Sequence, residues 1–416
     1  MAVAGLLIAS LLAGAGAMVT IVAVAVVSTD PVVFLTAGLA VAGLLSWVTV
    51  RVLVLRRLPS RYRSLTLPVT VLVTAAVAAA LLVPLPDVRL PETSVADTRY
   101  WSLPGGSRLA YVHTPGKAPH RTTPVVVLHG GPGIPDMPGL SRFFQPLAEL
   151  GYDVYVYDEL GAGRSARSEN PRAYGIERDV ADLEEVRHAI GAERMVLIGH
   201  SYGGALAAHY LAAYPTRVAS LVLSSPGPLD PADTSGNEAT SRLPLNRRLG
   251  TYAAALQPRA LLAYALLQVN PAAAYAYFPD TEADARNDTI LHLADAGLHC
   301  TRTQWQPMTH GSGFYAQQYP QLATAPTAPD VRRDLAGNPT PVLLLKGRCD
   351  YLSWHAAVDY RQVLPHTVLL YLTGAGHNTY QDQPSVVLAA VRGFLAGGPM
   401  PLNPYPSDEP PPDYQR

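Results

Sequence analysis

The chain has 416 residues, 49% of them apolar and only 15% charged, with 31 basic and 32 acidic side chains and a net charge of −1. An average soluble domain carries about 25% charge, and the deficit here is local: residues 1–50 hold one charged side chain, Asp30, and residues 64–86 hold none. This excludes a disordered chain, a disulfide-built miniprotein and a fully cytosolic enzyme, and it leaves no whole-chain field to gather nucleic acid.

A bilayer core about 30 Å thick is crossed by about 20 apolar residues in a helix. Leu6–Val27, Pro31–Val54 and Leu67–Val83 meet that condition, so residues 1–86 predict three transmembrane helices. Asp30-Pro31 separates the first two, because proline cannot continue a preceding helix. Gly14, Gly16, Gly38 and Gly43 suit close helix packing in lipid. A cleaved signal peptide is the alternative for the first segment, but the first basic residue is Arg51 and the expected positive leader is missing. Arg51, Arg56, Arg57, Arg61 and Arg63 crowd the second connection, and short basic loops stay cytoplasmic. The expectation is a multi-pass cell-membrane protein with everything after the third helix extracytoplasmic. That soluble portion carries 26 basic and 31 acidic residues, a net of −5, and is expected to be tethered above an anionic leaflet rather than embedded in it.

From residue 97 short apolar runs alternate with helical patterns. Tyr100–Ser102 and Arg108–His113 form a hairpin across Pro104-Gly105-Gly106. Val125–Leu128, Val154–Tyr157, Met195–Ile198, Leu221–Leu223, Val342–Leu345 and Val368–Tyr371 read as strands buried on both faces. A helical face of Val180, Leu183, Val186 and Ile190 lies between the second and third. This alternation predicts an α/β fold with a mostly parallel, doubly wound sheet. Residues 230–339 break the rhythm with short helices (Tyr252–Leu267, Ala272–Tyr277, Thr289–Leu298) and read as a helical lid between core segments 97–229 and 340–397. Seven prolines among residues 399–416 predict an extended, disordered tail over 398–416. Cys300 and Cys349 are the only cysteines; a bridge and two buried thiols both remain open. The sequence shows no metal-ligand cluster and no internal repeat.

Gly199-His200-Ser201-Tyr202-Gly203-Gly204 follows a predicted strand and opens an alanine-rich helix, Ala205–Tyr214. In that setting G-x-S-x-G is a sharp turn that presents the serine hydroxyl at a helix N-terminus. A serine needs a base held by a third group. His377, in Gly374-Ala375-Gly376-His377-Asn378, stands past the last strand and before a terminal helix, Pro384–Leu395. Asp350 stands at the carboxyl end of the preceding strand, with Asp230 as its rival for the acid. His129-Gly130-Gly131-Pro132-Gly133 follows the first core strand, and Gly131 and Tyr202 are the expected N–H donors to a developing oxyanion.

HGGPG, the Asp158…Gly161-Ala162-Gly163-Arg164-Ser165 turn and GHSYGG together resemble the proline iminopeptidase branch of the α/β-hydrolases over residues 97–397. The resemblance implies a cofactor-free Ser201–Asp350–His377 triad that removes N-terminal residues, often proline, from peptides. One departure is that Leu160 stands where the family's D-x-R-G-x-G-x-S has arginine, which leaves Asp158 a structural role. An aminopeptidase must also hold an α-amine with carboxylates; the lid offers Asp233, Glu238, Asp280, Glu282 and Asp284, with Glu159 outside it. Trp305, Phe314 and Tyr315 offer an aromatic wall for a proline ring. An esterase of small or lipid-like esters is the alternative within the same chemistry, and a non-catalytic binding module is the alternative outside it.

Overall fold

The computed structural model describes residues 2–54, 60–84, 97–233, 235–236, 238–301, 311–322 and 327–414. In chain order the helices are α1 (Ala2–Ala25), α2 (Pro31–Thr49), α3 (Thr66–Leu82), α4 (Met137–Phe144), α5 (Ile176–Ile190), α6 (Tyr202–Ala213), α7 (Leu245–Ala255) and α8 (Pro258–Val269). After these come α9 (Pro271–Tyr277), α10 (Asp280–Ala294), α11 (Phe314–Gln318), α12 (Arg332–Leu335), α13 (Trp354–Val363), α14 (Thr379–Asp382) and α15 (Pro384–Ala396). The chain divides into two compact units: residues 1–87, 169–171 and 253–282 form one, and the remainder forms the other.

In the first unit α1, α2 and α3 are each part of a stretch long and apolar enough to cross a membrane. Their buried sides are stripes at helical spacing: Ala9, Ala13, Ala17 and Ile21 on α1, Phe34, Gly38 and Ala42 on α2, and Val73, Val77 and Leu81 on α3. Small residues let the backbones approach; a Cβ on Gly38 would lie 2.4 Å from the Ile21 side chain. Asp30 caps α2 by accepting from the Val32 N–H at 2.8 Å. Arg56 and Arg57 of the basic connection lie outside the described residues.

Residues 253–282 group with these helices rather than with the rest of the insertion, so residues 230–339, expected as one helical lid, divide between the two units. The reason is the carbonyls left unpaired where helices end. Arg259 Nη1 donates to the Leu81 carbonyl at 3.0 Å, as does the Tyr277 hydroxyl at 2.5 Å. Asn270 Nδ2 donates to the Ala25 carbonyl at 2.8 Å. Arg259 is held in turn by Glu282 at 2.6 Å.

The second unit is built on one eight-stranded sheet, β1 (Arg99–Ser102), β2 (Arg108–Thr114), β3 (Val125–Leu128), β4 (Val154–Tyr157), β5 (Met195–His200), β6 (Val218–Ser224), β7 (Val342–Gly347) and β8 (Thr367–Leu372). The order is β1-β2-β4-β3-β5-β6-β7-β8, antiparallel at β1–β2 and β2–β4 and parallel elsewhere. Alternate strand residues serve opposite faces: Val125, Val127, Val196 and Ile198 pack in one cluster with Phe144 and Val391 from the covering helices. All six parallel strands therefore end their carboxyl edges on one side, where ligands collect in such sheets.

One expectation changes and one open alternative closes. The proline-rich tail is ordered as far as Tyr414, because its non-proline residues anchor it: the Tyr405 N–H donates to the Leu369 carbonyl at 2.8 Å, Trp354 Nε1 donates to the Asp408 carbonyl at 2.8 Å, and Arg361 pairs with Asp408. The two cysteines form a disulfide, with Cα atoms 5.1 Å apart across a separation of 49 residues.

Candidate active site

β5 passes into α6 through Ser201, whose φ of 52° and ψ of −116° lie where side chains are strained. Backbone segments crowd that turn. A Cβ on Gly199 would lie 2.2 Å from the Gly203 carbonyl oxygen, and one on Gly203 would lie 2.4 Å from that of Leu128. Only glycine fits at either place, and the serine is left at the N-terminus of α6 where unpaired N–H groups favour negative charge.

His377 follows β8, and its Nδ1–H donates to Asp350 Oδ1 at 2.8 Å. Lys346, near the end of β7, donates to the other oxygen, Oδ2, at 2.6 Å. Both members of this ion pair are fully buried. Burial alone would raise the Asp350 pKa, but the Lys346 ammonium beside it and the hydrogen bonds from Lys346 and His377 outweigh it and hold the carboxyl well below the usual range. Burial likewise pushes the Lys346 ammonium down. Asp230 is elsewhere, paired with Arg332 at 3.1 Å and partly exposed. The Tyr351 ring centroid lies 4.5 Å from that of His377, and burial pushes the Tyr351 phenol up.

The glycine loop after β3 is braced from below. Glu159 Oε2 accepts from the Gly133 N–H at 3.3 Å, and the Glu159 N–H donates to His129 Nε2 at 3.1 Å. His129 Nδ1–H donates to the Gly130 carbonyl at 2.8 Å. Burial pushes His129 down to about 4, so it is neutral near pH 7. The Glu159 carboxyl is pushed well up by burial and by Asp179 and Asp158 beside it. Asp158 holds its own turn, accepting from the Arg164 N–H at 2.9 Å while its carbonyl accepts from Ser165 Oγ at 2.5 Å. Leu160 is buried.

A cavity of about 570 Å³ opens over these groups, with Gly131, Ser201, Tyr202, Tyr351 and His377 on its wall. Two carboxylates share that wall, Asp136 and Asp295. Asp136 caps α4 and accepts from the Tyr380 hydroxyl at 2.8 Å; burial pushes it up to about 6. Asp295 Oδ2 is buried without a hydrogen-bond partner among the described residues.

The expected amine-binding acids are not on this wall. Asp233 bonds Ser235 and Ser353, the exposed Glu238 bonds Thr240, and Asp284 pairs with Arg167 at 2.9 Å. Asp280 and Glu282 belong to the first unit, and Glu159 is spent on the glycine loop. Phe314 and Tyr315 pack edge to face on each other, 5.0 Å between centroids, and neither lines the cavity. Trp305 lies outside the described residues. Among the residues that sequence reasoning missed, Lys346 left a signal, a lone cation ending an apolar run four residues before the acid. Tyr351, Asp136 and Asp295 left none.

A serine held at the turn between a parallel strand and a helix, and a histidine–aspartate pair on the same sheet edge, define a hydrolase type of site on an α/β scaffold. The family model described as alpha/beta hydrolase fold matches residues 123–384, and the chain belongs to that family. The proline iminopeptidase of Saccharolobus solfataricus is 41% identical over 105 residues, 24% of this chain and 32% of that protein. That of Heyndrickxia coagulans is 37% identical over 129 residues, 30% of this chain and 42% of that protein. The chain thus spans well under half the length of these relatives. The 1-acylglycerol-3-phosphate O-acyltransferase ABHD5 of Homo sapiens is 28% identical over 275 residues, 63% of this chain and 74% of that protein. The solved proline iminopeptidase of Mycobacterium smegmatis superposes with a TM-score of 0.47 at 22% identity, covering 72% of this chain and 98% of its own.

Proposed function

We propose that this chain is a membrane-anchored serine aminopeptidase that takes peptide substrates outside the cytoplasm. Ser201 Oγ attacks the carbonyl carbon of the first residue while His377 Nε2 takes its proton, and Asp350 fixes the imidazole through Nδ1–H. The N–H groups of Gly131 and Tyr202 stabilise the oxyanion. Collapse breaks the C–N bond and His377 returns the proton to the leaving amine. Water, deprotonated by the same histidine, then releases the acyl group from Ser201. Residues 1–86 serve as the anchor in the bilayer, and the reaction calls for no cofactor or nucleic acid.

The observation that carries the peptidase reading over plain ester hydrolysis is Asp295. It lines the cavity shared with Ser201 and His377, one of its carboxylate oxygens stands 3.5 Å from His299, and the other is buried without a hydrogen-bond partner among the described residues; an acceptor left unpaired in this way favours a cationic amine. The experiment compares a prolyl-aminocoumarin with its N-acetyl derivative and with a short p-nitrophenyl ester. Turnover of the free amine alone supports the reading; turnover of the ester alone overturns it. Asp295→Asn is expected to raise KM for the free-amine substrate at least tenfold, a loss of about 1.4 kcal/mol, and to leave ester turnover unchanged.

An esterase of lipid-like substrates is the second reading. It is favoured by the apolar anchor, by Ile134, Leu140, Ile176 and Leu291 on the cavity wall, and by the longer match to the human acyltransferase. A purely binding role is tested by a fluorophosphonate probe: labelling that disappears in Ser201→Ala excludes it.

A further inference from the structure

Two acids, Glu159 just past β4 and Asp179 in the first turn of α5, are buried in the second unit. Asp179 interrupts the core-facing stripe of its helix, which runs Ile176, Asp179, Leu183, Val186 at spacings of three, four and three. The neighbouring cation, Arg178, is bonded to Asp182 instead, at 2.9 Å. An acid in such a place costs stability that an apolar side chain would not, so its hydrogen bonds show what it is kept for.

Each acid holds one of the two segments that carry the expected oxyanion donors. Glu159 grips the glycine loop at two points: its Oε2 accepts from the Gly133 N–H at 3.3 Å, and its own N–H donates to His129 Nε2 at 3.1 Å. Gly131 lies midway between those points. Asp179 Oδ2 accepts from the Tyr202 hydroxyl at 2.5 Å, and Tyr202 is the first residue of α6. The acids also act on each other. Burial first, then Asp179 and Asp158, push the Glu159 carboxyl well up. Burial and Asp182 push Asp179 up to about 7, against the Tyr202 hydrogen bond and the charge of Arg178. Glu159 is therefore neutral while Asp179 titrates, and the pair carries at most one charge near pH 7.

We propose that Glu159 and Asp179 are positioning residues for the oxyanion hole. Glu159 sets the Gly131 amide through the loop it grips, and Asp179 sets the Tyr202 amide through the tyrosine hydroxyl. This rests on Ser201 as nucleophile and on Gly131 and Tyr202 as donors, and it holds for a peptide or an ester alike. The negative charge these amides meet develops only in the transition state, so misplacing them lowers kcat and spares KM. An acid kept for folding alone would change the number of native sites and not the rate at each.

The test uses the full chain in detergent, with active sites counted by fluorophosphonate labelling taken to completion. kcat and KM per labelled site are measured on the prolyl-aminocoumarin and the p-nitrophenyl ester. Glu159→Leu, Asp179→Leu and Tyr202→Phe are expected to lower kcat about tenfold or more on the substrate turned over, with KM within about twofold. Glu159→Gln and Asp179→Asn keep an acceptor oxygen and are expected to recover kcat to within about threefold of the native chain. If Glu159→Leu yields no labelled protein, Glu159→Met is judged by the same criterion, and Tyr202→Phe decides the Asp179 arm. Native kcat per labelled site in the leucine and phenylalanine variants overturns the proposal and leaves Ser201 standing. A raised KM with unchanged kcat overturns it in favour of substrate binding, and amide variants as slow as the leucine ones overturn it in favour of charge. A native chain that is neither labelled nor active overturns the Ser201 reading and this proposal together.

Discussion

Ser201 shows how a reactive side chain is bought with backbone strain. Its positive φ is held by the crossing of β5 and α6 over Leu128, with glycines where any Cβ would collide. Strain at such a position is worth about 1–3 kcal/mol in a residue other than glycine. With Ser201 as the proposed nucleophile, Ser201→Gly and Ser201→Ala are both expected to lower kcat on the order of 10^5-fold or more. They separate in stability, because glycine relaxes at φ 52° and alanine does not: Ser201→Gly is expected to be about 1 kcal/mol more stable than Ser201→Ala in urea unfolding of the detergent-solubilised chain. Equal stability of the two would show that the turn is unstrained. Lys346 makes the complementary case. Its ammonium and the Asp350 carboxylate are both buried, so removing one strands the other. Lys346→Met is expected to cost about 3–5 kcal/mol in the same measurement, far more than a surface ion pair such as Lys117–Glu149, which is worth about 1 kcal/mol or less.

At the scale of elements, the segment Leu298–Cys300 fastens the two loops that carry Asp350 and His377. The Leu298 carbonyl accepts from the His377 N–H at 2.7 Å, His299 bonds Asp382 at 2.7 Å, and Cys300 is bridged to Cys349 beside the acid. Burial opposes a charge on His299, but the carboxylates of Asp295 and Asp382 outweigh it and lift its pKa from the usual 6.5 to about 9. With the folded value raised, the stability this charge contributes is complete below about pH 6.5 and is lost as pH climbs through about 9. The melting temperature of the native chain, taken relative to His299→Gln, is therefore expected to fall between about pH 6.5 and 9 and to be level below that range; a pH-independent difference would refute the assignment. None of this fastening was legible in the sequence, because it depends on distant loops meeting side by side. The strands were legible: Val125–Leu128 and Val342–Leu345 are buried on both faces and so read as unbroken apolar runs. The G-x-S-x-G turn and His377 were legible because a strand end fixes where such residues emerge. The lid residues Glu238 and Phe314 were not, since a charge or a ring in a helical insertion has no periodicity that tells cavity from surface. The tail failed for the opposite reason: proline content argued for disorder, while Tyr405, Asp408 and Tyr414 supplied the anchors.

At the scale of the whole molecule, the proposed orientation in the membrane rests on the arginines and on the disulfide. Arginines gather between the second and third apolar stretches, and short basic loops stay cytoplasmic; three spans would then carry residues beyond 90 to the other side. The Cys300–Cys349 bridge is in keeping with an oxidising compartment on that side. A protease added to intact cells is accordingly expected to degrade the chain beyond residue 90 while sparing an epitope placed at Met1, and permeabilised cells are expected to lose both. Replacing Arg51, Arg56, Arg57, Arg61 and Arg63 by glutamine removes the charge that sets the direction, so the digestion pattern is expected to become mixed or inverted and the bridge to remain reduced in the inverted molecules. Protection of the region beyond 90 in intact cells carrying the native arginines would place the hydrolase in the cytoplasm. The bridge would then need another explanation, and Ser201 would meet a different set of peptides.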